Sequence, residues 1–169
     1  MRVLHIAGPS DSGKTHLIEH LLATLPVVQV IKWTHHPLMQ DKPGSDTSRF
    51  HARGIDSTML VAPDGVVWRQ PVIHRPCVYQ LLANFWADGD LVLVEGDKRS
   101  PYPKIWVGRD LPPKTVNVCL VIGPYQPASK VAWIASEIPL RPQALAPIMN
   151  TLSTDWTRFT YIVARSTHD

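Results

Sequence analysis

The N-terminal part of the chain alternates short apolar runs with one amphipathic segment. Residues 3–7 and Val27–Lys32 are mostly apolar and have the length of strands. Over residues 13–24, between these runs, apolar side chains recur at helical spacing on one face and polar side chains occupy the other. The chain is therefore predicted to open as strand, loop, helix and strand. This order is typical of a parallel sheet with a right-handed crossover.

The middle of the chain is predicted to form a loop, a short helix, a hairpin and a second helix. Residues 33–46 are polar and contain prolines, which indicates a long loop, and residues 45–53 are typical of one helix. Thr58–Ala62 and residues 66–70 flank a Pro-Asp-Gly turn, so we expect them to pair as a hairpin. Helical spacing returns over residues 77–86.

The remaining apolar runs are short and lie in a proline-rich background. Further strands are predicted at residues 91–94, Lys104–Val107, 116–122 and 131–135. At the end of the chain, large apolar side chains recur at helical spacing over residues 155–164. A strand is also compatible with that composition, but the spacing favours a helix.

The loop after the first predicted strand carries the clearest motif in the sequence. It reads Gly8-Pro9-Ser10-Asp11-Ser12-Gly13-Lys14-Thr15 and matches the phosphate-loop pattern GxxxxGK[ST] at every fixed position. The glycines allow backbone N–H groups to point at phosphate oxygens, Lys14 reaches the β- and γ-phosphates, and the Thr15 hydroxyl ligates Mg²⁺. The predicted fold class is therefore α/β, a P-loop NTPase fold with a mostly parallel sheet flanked by helices and a small β-hairpin excursion. Residues 1–169 are predicted to form one nucleotide-binding domain.

A carboxylate follows the apolar run at residues 91–94. In a parallel sheet the carboxyl ends of the strands line the ligand crevice, so Glu95 is placed beside the phosphate loop. There it is a candidate to hold Mg²⁺ or to polarise an attacking water, and together with Lys14 it is our candidate catalytic residue. A surface glutamate in a turn is the plainer interpretation.

The segment after Val27–Lys32 also reaches this crevice and contains polar side chains. Thr34, His35 and His36 are candidates to contact the nucleotide, although adjacent side chains of an extended segment point in opposite directions. Asp46 is a candidate for the same site, and an N-cap role for Ser45 or Asp46 in the following helix is an equally good interpretation. The guanine-reading sequence N-K-x-D is absent, so these residues leave the base open.

A second motif overlaps the first predicted helix. His16, Glu19 and His20 form H-x-x-E-H, the inverted zincin pattern, and all three lie on one helical face. A catalytic zinc site needs a third ligand and a shaped cavity, and the phosphate loop already accounts for this segment. We therefore interpret these side chains as the solvated face of an amphipathic helix.

Composition and charge limit the class of ligand and the cellular compartment that we expect for this protein. The formal net charge of +3 suits an anionic ligand but is too small to indicate nucleic acid. No apolar run approaches the roughly 20 residues that span a bilayer. Two cysteines form no disulfide framework, and the phosphate loop starts too early to leave room for a signal peptide. We expect a cytoplasmic protein that binds neither a membrane nor nucleic acid.

Four ordered segments resemble one protein family. Together with the phosphate loop, the segments IKWTHH, DKPGSDTSRFHARG and LVLVEGDK are similar to those of the molybdopterin-guanine dinucleotide biosynthesis adaptor family, the MobB proteins. The family pattern has IKHTHHD, then DKPGKDS followed by R-x-x-G-A, then LVLVEGFK. The resemblance covers residues 3–98, and its two middle segments distinguish it from generic phosphate-loop proteins.

The resemblance implies a cytoplasmic homodimer that binds GTP with Mg²⁺ and has weak GTPase activity. Its implied partner is the guanylyltransferase that joins GMP to molybdopterin. Carried over residue by residue, Gly8 to Thr15 would bind the phosphates. The remaining motif positions are Thr34, His35, His36, Asp41, Lys42, Gly44, Asp46, Glu95 and Lys98.

Three positions depart from the family pattern. Trp33 replaces a histidine, Pro37 replaces an acidic residue, and Asp97 replaces an aromatic residue. The lost acid bears on metal binding near His36, and Asp97 would place a charge at a partner or dimer contact. The phosphate loop is unaffected.

Other functions fit the same loop. A small-molecule kinase would need a lid, for which residues 99–114 are a candidate, and it would transfer phosphate to a metabolite. A metallochaperone would bind nickel or zinc through His35 and His36. A nucleotide-locked scaffold would show no turnover. Arg49 and Arg53 are the nearest candidates for an arginine finger.

Overall fold

A mostly parallel sheet forms the centre of the structure, a computed structural model that describes residues 1–38, 41–71 and 75–164. The strands are, in chain order, β1 (Arg2–Ala7), β2 (Val27–Lys32), β3 (Thr58–Ala62), β4 (Gly65–Arg69), β5 (Leu91–Glu95), β6 (Lys104–Val107), β7 (Val118–Gly123), β8 (Ala132–Ala135) and β9 (Thr160–Ile162). The helices are α1 (Lys14–Thr24), α2 (Asp46–His51), α3 (Arg75–Ala83), α4 (Leu145–Thr154) and α5 (Trp156–Phe159). A short 3₁₀ turn, Pro142–Ala144, leads into α4.

The order of strands in the main sheet is β2-β5-β1-β6-β7-β8, with all these neighbours parallel. β1 therefore lies between β5 and β6, and its partner in register with Ile6 is Glu95 of β5. The loop that follows β1 and the carboxylate that ends β5 thus emerge side by side at one edge of the sheet. This topology confirms the predicted fold class.

Helices cover both faces of the sheet because each carries an apolar stripe. Leu17 and Leu21 of α1 pack with Ile148 of α4 and with Ile6 on one face. On the other face, Tyr79 of α3 packs with apolar side chains from β1 and β5. The two strands that carry the site are consequently buried on both faces, which holds their carboxyl ends in place.

The prediction for residues 155–164 was wrong in its second half. The helix α5 ends at Phe159, and β9 pairs antiparallel with the first half of β1. Phe159 packs on the α1 face of the sheet, whereas Val163 packs on the α3 face. A helix would have kept both side chains on one face, so their spacing was compatible with a helix by coincidence.

The hairpin and the short helix α2 agree with prediction. β3 and β4 pair around the Pro-Asp-Gly turn in a separate two-stranded sheet. Ser45 caps α2, its hydroxyl accepting from the N–H of Ser48 at 3.3 Å. The helix predicted at residues 77–86 begins and ends earlier, at Arg75–Ala83. Within the described ranges, no helix is long and apolar enough to cross a membrane.

Candidate functional site

The phosphate loop, residues 8–15, runs from β1 into α1, and its two glycines lie where a side chain would not fit. A Cβ on Gly8 would lie 2.0 Å from the carbonyl oxygen of Val107 in β6. Gly13 has a φ of 92°, and a Cβ there would lie 2.6 Å from the Cβ of Leu140. The loop is therefore packed between the end of β6 and the segment that precedes α4, with its backbone in a fixed course.

The ammonium of Lys14 lies back over this loop. Its Nζ donates to the carbonyl oxygen of Pro9 at 2.5 Å. Burial lowers the pKa of Lys14, while the negative charge of Glu95 acts in the opposite direction. An anion bound at the loop would favour the protonated form of this side chain, because a nearby opposite charge stabilises an ammonium.

Across the crevice, Thr15 faces the carboxylate of Glu95. The Thr15 hydroxyl lies 3.4 Å from each carboxylate oxygen of Glu95, although the two residues are 80 positions apart. The Nζ of Lys32 lies 3.5 Å from Glu95 Oε1. A hydroxyl and a carboxylate are hard oxygen donors of the kind that Mg²⁺ prefers, so these two residues fit that ion. Lys32 partly balances the carboxylate charge.

Two backbone hydrogen bonds and one side-chain contact hold Glu95 at this position. The N–H of Trp33 donates to the carbonyl oxygen of Glu95 at 2.8 Å, and the N–H of Gly96 donates to that of Ile6 at 2.9 Å. His5, buried in β1, contacts the Gly96 carbonyl oxygen through its Nε2 at 2.8 Å. The ends of β1, β2 and β5 are thus joined directly beneath the crevice.

Two of the departures from the family pattern meet inside the protein. Trp33 Nε1 donates to the hydroxyl of Tyr79 at 3.0 Å, and that hydroxyl donates to a carboxylate oxygen of Asp97 at 3.4 Å. Asp97 is buried. The sequence analysis expected Asp97 to place a charge at a partner or dimer contact. The structure instead places this side chain inside the protein, in contact with Tyr79.

A cavity of about 940 Å³ lies over these residues. The sequence-predicted residues that line it are Gly8, Ser10, Asp11, Gly13, Lys14, Thr15, Thr34, His35, His36 and Glu95. Its other walls come from residues that include Lys32, Lys98 and Arg99, so the cavity combines cationic side chains with the loop backbone. This combination suits a polyphosphate.

Three predicted site residues lie outside this cavity. Asp46 is exposed at the start of α2, where its carboxylate lies 3.7 Å from Arg49. Ser12 is buried, and its hydroxyl has no hydrogen-bond partner among the described residues. Pro9 faces the opposite side of the loop, close to Gly108.

Arginine placement differs from the sequence expectation. Arg49 and Arg53 are exposed on and after α2 and do not line the cavity, whereas Arg99 does. Sequence reasoning also missed Lys32 and His5. A polar residue in the middle of an otherwise apolar strand was the available signal for His5.

The geometry gives no support to the zinc-binding interpretation of H-x-x-E-H. His16 Nδ1 lies 3.7 Å from Glu19, and both side chains are substantially exposed. Among the described residues, no group of three or more His, Cys, Asp or Glu side chains is arranged to hold a metal ion. Within residues 99–114, considered as a kinase lid, Lys104–Val107 form the buried strand β6 and Arg99 lines the cavity.

The loop, the parallel sheet and the strand-end carboxylate define a phosphate-loop protein with the P-loop NTPase fold. The family model for MobB, described as molybdopterin guanine dinucleotide synthesis protein B, matches residues 3–120. That match covers more than half of the chain, so the protein belongs to the MobB family.

Two relatives carry the name molybdopterin-guanine dinucleotide biosynthesis adapter protein. The protein from Haemophilus influenzae is 38% identical over 113 residues, which cover 63% of this chain and 63% of that protein. The protein from Escherichia coli K12 is 31% identical over 118 residues, covering 64% of this chain and 66% of that protein. The chain thus matches less than two thirds of the length of either relative.

Solved structures show the same fold. MobB from Bacillus subtilis superimposes with a TM-score of 0.58 at 20% identity and covers 89% of this chain and 97% of that one. The MobB homologue from Bacillus stearothermophilus gives a TM-score of 0.55 at 22% identity, with 90% and 98% coverage.

Proposed function

We propose that this protein binds Mg-GTP and acts as an adapter in the biosynthesis of molybdopterin-guanine dinucleotide. The observation that carries the proposal is the position of Thr15 and Glu95, 3.4 Å apart across a cavity floored by the phosphate loop. Membership of the MobB family and the names of the two relatives support the pathway. The adapter role implies contact with the guanylyltransferase of that pathway, in the cytoplasm.

Each part of the site has a separate task in binding. The backbone of residues 8–15 and the ammonium of Lys14 hold the phosphates. Thr15 and Glu95 would hold Mg²⁺, which supplies positive charge that offsets the phosphate oxygens. Lys98 and Arg99 add cationic side chains at the cavity wall. We expect hydrolysis to be slow, because Arg49 and Arg53, the candidates for an arginine finger, do not line the cavity.

The exposed segment after β2 is the candidate reporter of nucleotide state. Thr34, His35 and His36 line the cavity and are exposed to solvent on their other sides. Trp33, at its base, is bonded to the Glu95 backbone. A ligand contact at His35 or His36 would therefore be transmitted to a surface that a partner enzyme can touch.

We also propose that two copies associate through the hairpin of β3 and β4. Its exposed apolar side chains are Met59, Leu60, Val61, Val66, Val67 and Trp68. An isolated two-stranded hairpin is only marginally stable in water, so covering these side chains would stabilise it. A homodimer supplies such a cover, in agreement with the family resemblance.

Calorimetric titration with Mg-GTP and Mg-ATP tests the nucleotide proposal. We expect wild type to bind GTP in preference to ATP, and Lys14→Ala to weaken GTP binding by about 100-fold, because a charged hydrogen-bonding partner of the phosphates is lost. Lys130→Ala, an exposed lysine outside the cavity, is the matched control and should bind as wild type.

A second variant tests the metal ligands. With Glu95→Gln, GTP binding should lose most of its dependence on Mg²⁺, since an amide is a weaker ligand than a carboxylate. Preference for ATP in wild type would instead favour the kinase reading, and absence of nucleotide binding in wild type would overturn the proposal.

A further inference from the structure

A second cavity, of about 560 Å³, lies on the other side of the phosphate loop from Glu95. Ser10, Asp11, Lys98 and Pro139 line both cavities, so the two cavities adjoin at the loop. The far wall of the second cavity is formed by Trp106, Arg109 and Asp110, at and after the end of β6. Its size falls within the range of roughly 300–1,000 Å³ usual for small-molecule sites.

The order of strands in the sheet indicates how a bound nucleotide would be oriented across the phosphate loop. β5, which ends in Glu95, and β6 lie on opposite sides of β1. Thr15 and Glu95 would hold the Mg²⁺ that accompanies the terminal phosphates, so the γ end of a bound nucleotide would lie on their side of the loop. The nucleoside would then extend towards the β6 side, where the second cavity lies.

The turn after β6 is held rigidly against the phosphate loop. Trp106 Nε1 donates to the backbone carbonyl of Asp110 at 2.9 Å, and Arg109 Nη2 donates to the carbonyl of Ile138 at 3.0 Å. A Cβ on Gly108 would lie 2.9 Å from Pro9 Cδ, which leaves no space between turn and loop. The backbone of Arg109 and Asp110 therefore lies close to the phosphate loop, and both side chains are exposed.

These two side chains offer complementary hydrogen-bonding groups. The Asp110 carboxylate is an acceptor only and makes no hydrogen bond or ion pair with any described residue. The Arg109 guanidinium has N–H donors beyond the one bonded to Ile138. Guanine presents two neighbouring donors, N1–H and N2–H, and two acceptors, O6 and N7, whereas adenine presents an acceptor at N1.

We propose that the second cavity is the base subsite and that Asp110 is the residue that selects guanine, by accepting from N1–H and N2–H. The inference rests on the proposed binding of a nucleoside triphosphate at residues 8–15. Asp110, after the buried strand β6, would then read the base in a chain that lacks the N-K-x-D motif. Asp11 also lines this cavity, but it lines the phosphate cavity too and belongs to the phosphate end.

Titration with GTP, xanthosine triphosphate and inorganic tripolyphosphate tests the assignment. An asparagine donates to the C2 carbonyl that xanthine has in place of the guanine amino group. Asp110→Asn should therefore weaken GTP binding and strengthen xanthosine triphosphate binding, each by about tenfold or more. Tripolyphosphate has no base, so its affinity should be unchanged. Asp64→Asn, in the exposed hairpin turn, is the matched control.

The outcomes separate this inference from the proposal on which it rests. If wild type binds GTP and Asp110→Asn binds it equally well, Asp110 is not the selecting residue. If Asp11→Asn, and not Asp110→Asn, weakens GTP binding and strengthens xanthosine triphosphate binding, the base lies at the loop and the assignment is wrong. If wild type binds tripolyphosphate as tightly as GTP, there is no base subsite. Failure of wild type to bind any of the three would overturn nucleotide binding itself.

Discussion

At the scale of single residues, His5 connects the core to the site. It is fully buried in β1, and its Nε2–H donates to the carbonyl of Gly96, directly after Glu95. Its Nδ1 has no partner among the described residues. Burial, reinforced by the positive charge of Lys104 and opposed by the bond to Gly96, lowers the pKa of His5 from 6.5 to about 4. The folded protein therefore contains a neutral imidazole at neutral pH.

This histidine makes stability depend on pH. Above pH 6.5 the side chain is neutral in both the folded and unfolded states, and its full contribution is present. As the pH falls from 6.5 towards 4, the imidazole of His5 binds a proton in the unfolded chain but stays neutral in the folded protein. The free energy of unfolding therefore decreases. A shift of this size corresponds to a loss on the order of 3 kcal/mol.

Urea unfolding between pH 4.5 and 7.5 measures this effect. Wild type should lose stability over that range more steeply than His5→Gln, whose amide can donate to Gly96 but does not titrate there. Equal slopes for the two proteins would show that His5 is not the group responsible.

At the scale of elements, the site depends on how the ends of β2 and β5 meet. Gly96 has a φ of 97°, and a Cβ there would lie 2.7 Å from the carbonyl oxygen of Trp33 and 3.3 Å from its Cβ. Because the first contact is with backbone, relief requires one strand end to move. Any such movement displaces Glu95 relative to Thr15.

Gly96→Ala should therefore lower the free energy of unfolding by about 2–4 kcal/mol, combining backbone strain with the steric contact. Gly89→Ala is a matched control, since Gly89 has a φ of 101° but nothing within 4 Å of a Cβ. That control should cost about 1–2 kcal/mol, from the backbone conformation alone. Chemical denaturation gives both values, and equal losses would show that the contact with Trp33 is relieved without cost.

At the scale of the whole molecule, the hairpin of β3 and β4 exposes six large apolar side chains. Met59, Val61, Val66 and Trp68 lie on one of its faces, because directly paired and alternate residues share a face. Val61 is 69% exposed and Trp68 42%. In the described part of the chain, neither the helices nor the main sheet cover these side chains. In our proposal, a second copy of the protein covers them.

Val61→Lys should shift the protein from dimer to monomer by at least about tenfold in dissociation constant, since a charge would be buried at the interface. Ile162→Lys is a suitable comparison because Ile162 is 74% exposed in β9, away from the hairpin. Light scattering coupled to gel filtration distinguishes the two states. A monomeric wild type, or a Val61→Lys variant that stays dimeric, would contradict the proposed interface.

The sequence by itself determined the local features of this protein. The phosphate loop, the strand and helix around it, the hairpin and the Ser45 cap are readable because each depends on residues within a few positions of one another. The periodicity of an apolar segment follows directly from the geometry of one strand or one helix. For the same reason, Glu95 was recognisable as the end of a buried strand.

Only the tertiary structure decided which of these features meet. The approach of Thr15 to Glu95, the bond from His5 to Gly96 and the cavity between residues 9–11 and the turn after β6 all depend on the order of strands in the sheet. The final segment became β9 because the first half of β1 had a free edge, which its own spacing does not reveal. Local patterns establish how an element folds, whereas partners distant in the chain are selected by burial and hydrogen bonding in the assembled sheet.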